Sequence, residues 1–85
     1  MTNPAQELAA DQTLDCRGLL CPLPVYKAGL VLNQLDSGQV LRLECTDPGS
    51  LADIPAMARQ RGDVLLASDD RGETQVFWLE KGEDA

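Results

Sequence analysis

The chain has no histidine and few aromatic residues, with one Trp, one Tyr and one Phe in 85 residues. Without histidine there is no Cys-His dyad, no Ser-His-Asp triad and no imidazole metal ligand. Hydrolytic cysteine chemistry therefore lacks the base it normally uses. With so few aromatics the core must be aliphatic. Basic residues are also scarce, seven against fourteen acidic, for a formal net charge of -7. Neutralising a phosphate backbone takes Lys and Arg, so neither direct nucleic-acid binding nor an anionic membrane surface is expected. The acidity suits solubility, or faster encounter with a basic protein partner. No segment approaches the roughly 20 apolar residues of a membrane span. The start, Met1 to Gln12, lacks the basic and apolar regions of a secretory signal. Three cysteines cannot all pair within one chain, which fits a reducing compartment. A cytoplasmic location is the expectation.

What is present is enough for one small core, since 44% of the residues are hydrophobic. A single domain is expected over residues 13–82, with a flexible tail over 1–12 and a short one over 83–85. Thr13–Cys16 reads as a strand, and Arg17–Leu20 as a loop that turns at Gly18. A helix is expected from Pro22 to Leu35. Val25, Ala28, Leu32 and Leu35 make its buried stripe, and Tyr26 and Leu30 fall on a wet face where a partner could touch. Asp36-Ser37-Gly38 ends it. Val40–Cys45 alternates as a half-buried strand, with Leu41, Leu43 and Cys45 facing the core. Thr46–Gly49 is a turn.

A second helix runs to Arg61, with Gly62 as its stop. Ser50 followed by Asp53 resembles a capping box, but Pro55 would then lie beyond the first turn. Either Asp53 is the N-cap, or the first turn is distorted. Val64–Ser68 and Thr74–Glu80 read as strands of a hairpin around Asp69–Glu73, and Lys81–Ala85 as a polar tail. The order β-α-β-α-β-β gives an α/β (α+β) two-layer sandwich. A four-stranded mixed sheet carries both helices on one face and is wet on the other. Strand–helix–strand units favour parallel pairing within it.

The chemistry concentrates at Cys21-Pro22-Leu23-Pro24. Proline is tolerated in a first helical turn, so Cys21 is expected at the N-cap of the first helix. There the helix dipole would favour the thiolate, with Arg17 the nearest cation in sequence and otherwise a solvated loop charge. Cys16 reads as a small buried residue or as a resolving thiol for Cys21. Cys45 reads as packing. The cysteine spacings, five and twenty-four residues, match no zinc pattern, so no metal site is expected. Asp47 reads as a turn opener and Asp53 as a helix cap.

The stretch Leu14-Asp15-Cys16-Arg17-Gly18-Leu19-Leu20-Cys21-Pro22-Leu23-Pro24-Val25 resembles the signature of the TusA (SirA-like) family of sulfur-carrier proteins. Thr46-Asp47-Pro48-Gly49-Ser50-Leu51-Ala52-Asp53-Ile54-Pro55 resembles the family's Asp-Pro…Asp-Ile-Pro stretch. The resemblance spans about residues 13–82. It implies that Cys21 carries sulfane sulfur as a persulfide, with Gly18, Pro22, Pro24 and Arg17 shaping its setting. It also implies a cysteine desulfurase or rhodanese-like donor and a downstream sulfur-carrier acceptor, with no cofactor. The destination would be tRNA thiolation, cofactor biosynthesis or sulfur metabolism. The protein would be a relay rather than an independent multi-turnover catalyst, and a monomer when free. The alternative is a thiol redox or regulatory binding module using a Cys16–Cys21 pair. A third reading is an interaction domain with an inert Cys21.

Overall fold

The computed structural model describes residues 8–83. It contains, in order, β1 (Gln12–Cys16), α1 (Leu23–Gln34), β2 (Val40–Cys45), α2 (Ser50–Arg61), β3 (Val64–Asp70) and β4 (Gln75–Glu80). The expected mixed four-stranded sheet with two helices on one face is present. Its strand order is β1-β2-β4-β3. β1 and β2 are parallel, and β4 is antiparallel to both β2 and β3. The expectation of parallel pairing therefore holds for β1 and β2 but fails for β2 and β3, because β4 lies between them. The cause is the continuous apolar run Val76-Phe77-Trp78-Leu79, buried on both faces. Such a strand needs the middle of a sheet, whereas β3 alternates between exposed and half-buried and suits an edge.

The helix-side core joins Leu41, Leu43, Phe77 and Leu79 of the sheet to Ala28 and Leu32 of α1 and Ile54, Met57 and Ala58 of α2. α1 starts at Leu23, and Pro24 rather than Val25 takes the fully buried place in its stripe. Val25 is half-buried. The opposite sheet face is not simply wet. Trp78 is fully buried there, with the Arg42 guanidinium 5.7 Å from its ring centroid and its indole Nε1 donating to the Leu8 carbonyl. Asp11 exchanges hydrogen bonds with the backbone of Val40. Residues 8–12 of the expected tail thus run along the sheet, and Gln12 belongs to β1; residues 1–7 lie outside the described residues.

α2 begins at Ser50 with Gly49 as N-cap and no side-chain cap, so the expected capping box does not form and Asp53 is not the N-cap. Its start is tightened instead. Ser50, Leu51 and Ala52 N–H groups donate three residues back, and only at Asp53 does a four-residue bond appear. This distorted first turn precedes Pro55 inside the helix. An interior proline costs about 3 kcal/mol, and burying the neighbouring Ile54 side chain returns about 1.5–3 kcal/mol.

Lys81 is not part of a free polar tail. It is buried, and its Nζ donates to the Leu32 carbonyl at 2.8 Å and to that of Leu35 at 3.4 Å. A cation there complements the C-terminal end of α1, where the Leu32 carbonyl also accepts the Leu35 N–H. Gly82 follows tightly: a Cβ on it would collide with the Gly62 carbonyl, and its N–H donates to Asp63. Residues 84–85 of the expected tail lie outside the described residues. Replacing Lys81 with Ala is expected to destabilise the fold by about 1–3 kcal/mol, as for loss of a charged hydrogen-bond donor. Lys27→Ala on the exposed face of α1 should change stability by less than about 0.5 kcal/mol. Urea unfolding of the two variants checks the contrast.

Candidate functional site

β1 and β2 run parallel and in register, so Cys16 ends one strand directly opposite Cys45 at the end of the other. The loops that follow must leave the sheet side by side. In open α/β sheets this end of the strands is where sites form. The two loops are tied together. Gly18, with a φ of 82°, turns the first loop and donates its N–H to Thr46 Oγ1 at 2.8 Å. Cys21 N–H donates to Asp47 Oδ2 at 2.7 Å, while Asp47 Oδ1 accepts the Gly49 N–H at 3.1 Å. Beneath them, with its amide oriented by the hydrogen-bond network, buried Gln75 donates to the carbonyls of Cys45 and Asp47.

Cys21 is exposed and stands one residue before Pro22, the N-cap of α1, rather than at the N-cap itself. The Cys21–Pro22 peptide bond is cis. The Cys21 thiol donates to Asp53 Oδ2 in the first turn of α2. This pairing overturns the expected activation. The Asp53 carboxylate accepting its proton, then partial desolvation, then the charge of Asp47 raise the Cys21 thiol above its ordinary value. Arg17 does not offset them: its guanidinium is taken by Asp15 at 2.9 Å, in an exposed pair that holds the Asp15 carboxyl near 2. Asp47 is itself held below the usual carboxylate range by the N–H groups of Cys21 and Gly49.

Cys21, Pro22, Val25, Asp53, Ala56, Met57 and Gln60 line an open cleft of about 340 Å³ between α1 and α2. A second hollow continues from Val25 and Met57 past Tyr26 and Leu30. Leu20 and Tyr26 are 72% and 64% exposed, and Leu23 and Leu30 are also open to solvent. Pro22 is exposed, whereas Pro24 is buried, so the two prolines of the motif serve different ends. Cys16 and Cys45 are fully buried. Burial raises both thiols, Cys45 to about 11. The Ser50 hydroxyl, buried without an oxygen or nitrogen partner, neighbours the Cys45 sulfur. Among the described residues, no cluster of three or more Cys, Asp or Glu side chains is arranged to hold a metal ion, and no helix is long and apolar enough to cross a membrane.

The structure thus gathers Gly18, Cys21 and Pro22 with two carboxylates that sequence reasoning assigned to a turn and a cap. Asp47 does open the turn, but it also holds the Cys21 backbone, and Asp53 reaches the thiol. The signal was available in the parallel β1–β2 pairing, which places both loops at one end of the sheet.

A family model described as sulfurtransferase TusA matches residues 12–81. The chain belongs to the TusA family. It is 46% identical over 71 residues to the sulfur carrier protein TusA of Allochromatium vinosum, covering 84% of this chain and 93% of that one. It is 37% identical over 75 residues to the putative sulfur carrier protein YrkI of Bacillus subtilis, covering 88% of this chain and 100% of that one. A crystal structure of a SirA-like protein from Desulfitobacterium hafniense shares the fold, with a TM-score of 0.74 at 24% identity over 85% of this chain and 99% of that one. A sulfur-carrier role is the family's.

Exposure and burial predict how the three thiols behave in this TusA-family chain. In the native protein a maleimide should label Cys21 alone, with Cys16 and Cys45 reacting only after unfolding; peptide mass mapping decides it. The Cys45 thiol is raised in the folded state above its ordinary value of 9.0 to about 11. The folded chain therefore keeps a proton there that the unfolded chain has lost. This contribution is full below about pH 9 and is lost as pH rises through about 11. Cys45→Ala should flatten that alkaline decline, as read by urea midpoints across the window.

Proposed function

We propose that Cys21 accepts sulfane sulfur as a persulfide and relays it to a cysteine of a partner protein. The observation that carries this reading is that Cys21 is the exposed thiol of the three, fixed at the head of an open cleft by a hydrogen bond from its own backbone. Sulfur-to-sulfur attack needs thiolate, a leaving group and access, but neither metal nor histidine. A raised thiol is compatible with a relay, which needs to react when a partner brings sulfur rather than with every electrophile in solution.

The donor in this reading is a cysteine desulfurase or a rhodanese-like protein, and the acceptor is another sulfur carrier. The relay operates in the cytoplasm, with a free monomer as the working form. The apolar row Leu20, Leu23, Tyr26 and Leu30 beside the cleft supports protein partners. The acidic charge supports leaving any RNA to a downstream enzyme. The Cys16–Cys21 redox reading is less well supported, because Cys16 is enclosed in the core while Cys21 is outside it.

The test is mass spectrometry without reductant after incubation with a cysteine desulfurase and cysteine, or with a rhodanese and thiosulfate. One added sulfur on the Cys21 peptide, removed by dithiothreitol and absent in Cys21→Ser, is expected. Loss of two hydrogens joining Cys16 to Cys21, without sulfur gain, would favour the redox module instead.

A further inference from the structure

The Cys21 thiol donates to Asp53 Oδ2 at the head of the cleft. That bond exists only while Sγ carries a proton, and sulfur loading replaces the proton with a bond to sulfur. We propose that Asp53 is a catalytic residue of the relay that distinguishes the empty carrier from the loaded one. It holds Cys21 as a neutral thiol when empty and releases it once sulfur is attached. The inference rests on the persulfide reading of Cys21.

The charges around the sulfur are one-sided. Asp53 faces it from α2, and Asp47 from the loop between β2 and α2. Arg17, in the loop between β1 and α1, is bound by Asp15. On α1, Lys27 is exposed, and its charge acts on Cys16. The empty state is therefore a protonated thiol beside two carboxylates. A low thiolate fraction protects it from alkylation and adventitious oxidation.

Loading balances without an added reagent. Cys21 Sγ attacks the sulfane sulfur of a donor cysteine persulfide. The new Sγ–S bond forms as the donor's S–S bond breaks, and the electron pair leaves on the donor cysteine's sulfur. The Cys21 proton passes to the Asp53 carboxylate and on to the departing sulfur, so there is no net oxidation. In the product Sγ has nothing to donate, and the outer sulfur, as an anion, is repelled by Asp47 and Asp53. Repulsion of this kind directs it out of the cleft, where an acceptor thiolate can attack it.

The experiment follows the pH dependence of Cys21 alkylation by iodoacetamide on the full chain. In Asp53→Asn the midpoint should fall by about one pH unit, and alkylation at neutral pH should be about 3–4-fold faster, since the roughly tenfold gain in thiolate is partly offset by its lower nucleophilicity. Asp53→Glu should keep the midpoint high, and Asp36→Asn, a remote charge change, should leave it where it was. A second measurement uses the unmutated protein. The carboxyl carbon resonance of Asp53 should follow the thiol's ionisation and shift when methyl methanethiosulfonate converts Cys21 to its methyl disulfide. A folded Asp53→Asn variant with an unchanged midpoint would overturn the proposal, as would an Asp53 resonance indifferent to capping of Cys21. If these titrations behave as expected while neither the desulfurase nor the rhodanese assay adds sulfur to Cys21, the hold of Asp53 on the thiol is supported and the persulfide reading is overturned.

Discussion

The parallel, in-register pairing of β1 with β2 is the constraint on which the site depends. It ends both strands at the same level, Cys16 beside Cys45, and sends two loops out of the sheet together. One loop carries the thiol, and the other carries Asp47 and leads into α2, whose first turn carries Asp53. Gly18 to Thr46 and Cys21 to Asp47 then join them, so the sulfur is held by a contact more than twenty residues away in sequence rather than by its own helix alone. The central position of β4 supports this from below, because its first residue, Gln75, braces the second loop.

This arrangement changes the chemical picture of Cys21. A cysteine near the start of a helix invites the view that the dipole activates it. Here a carboxylate in direct contact raises the thiol instead, because hydrogen bonding and charge act at contact distance. The sulfur is accessible but not ionised in advance. Accessibility without standing reactivity suits a carrier that meets many thiols and should exchange only with a partner that approaches correctly. The other two cysteines owe their high values mainly to burial, which suits packing.

Much of the fold was legible in the sequence. The β2 limits, the loop through Gly18, the burial of Cys16 and Cys45 and the exposure of Tyr26 and Leu30 all follow from local pattern. What was missed depends on tertiary context. Lys81 reads as a tail residue because nothing local says that the end of α1 lies within reach of its amine. Asp53 reads as a cap because Ser-x-x-Asp is a local signal, whereas the thiol it meets is 32 residues away. The sheet face away from the helices reads as wet, and only the strand order and the segment at Leu8 explain why Trp78 is buried there. Pro24 reads as shaping the setting of Cys21, yet it lies one turn before Ala28 on the buried stripe of α1 and packs into the core.

The central claim is that sulfur held on Cys21 leaves as intact sulfane sulfur for a partner's cysteine. Its most direct test is a chase. The carrier is loaded with radiolabelled sulfur, freed of donor, and mixed with an acceptor carrier protein bearing a single reduced cysteine. The account predicts that label leaves Cys21 and appears on the acceptor cysteine in equal amount, in a form that dithiothreitol releases. Label that stays on the carrier, or that reaches the acceptor equally well through Cys21→Ser, would contradict it.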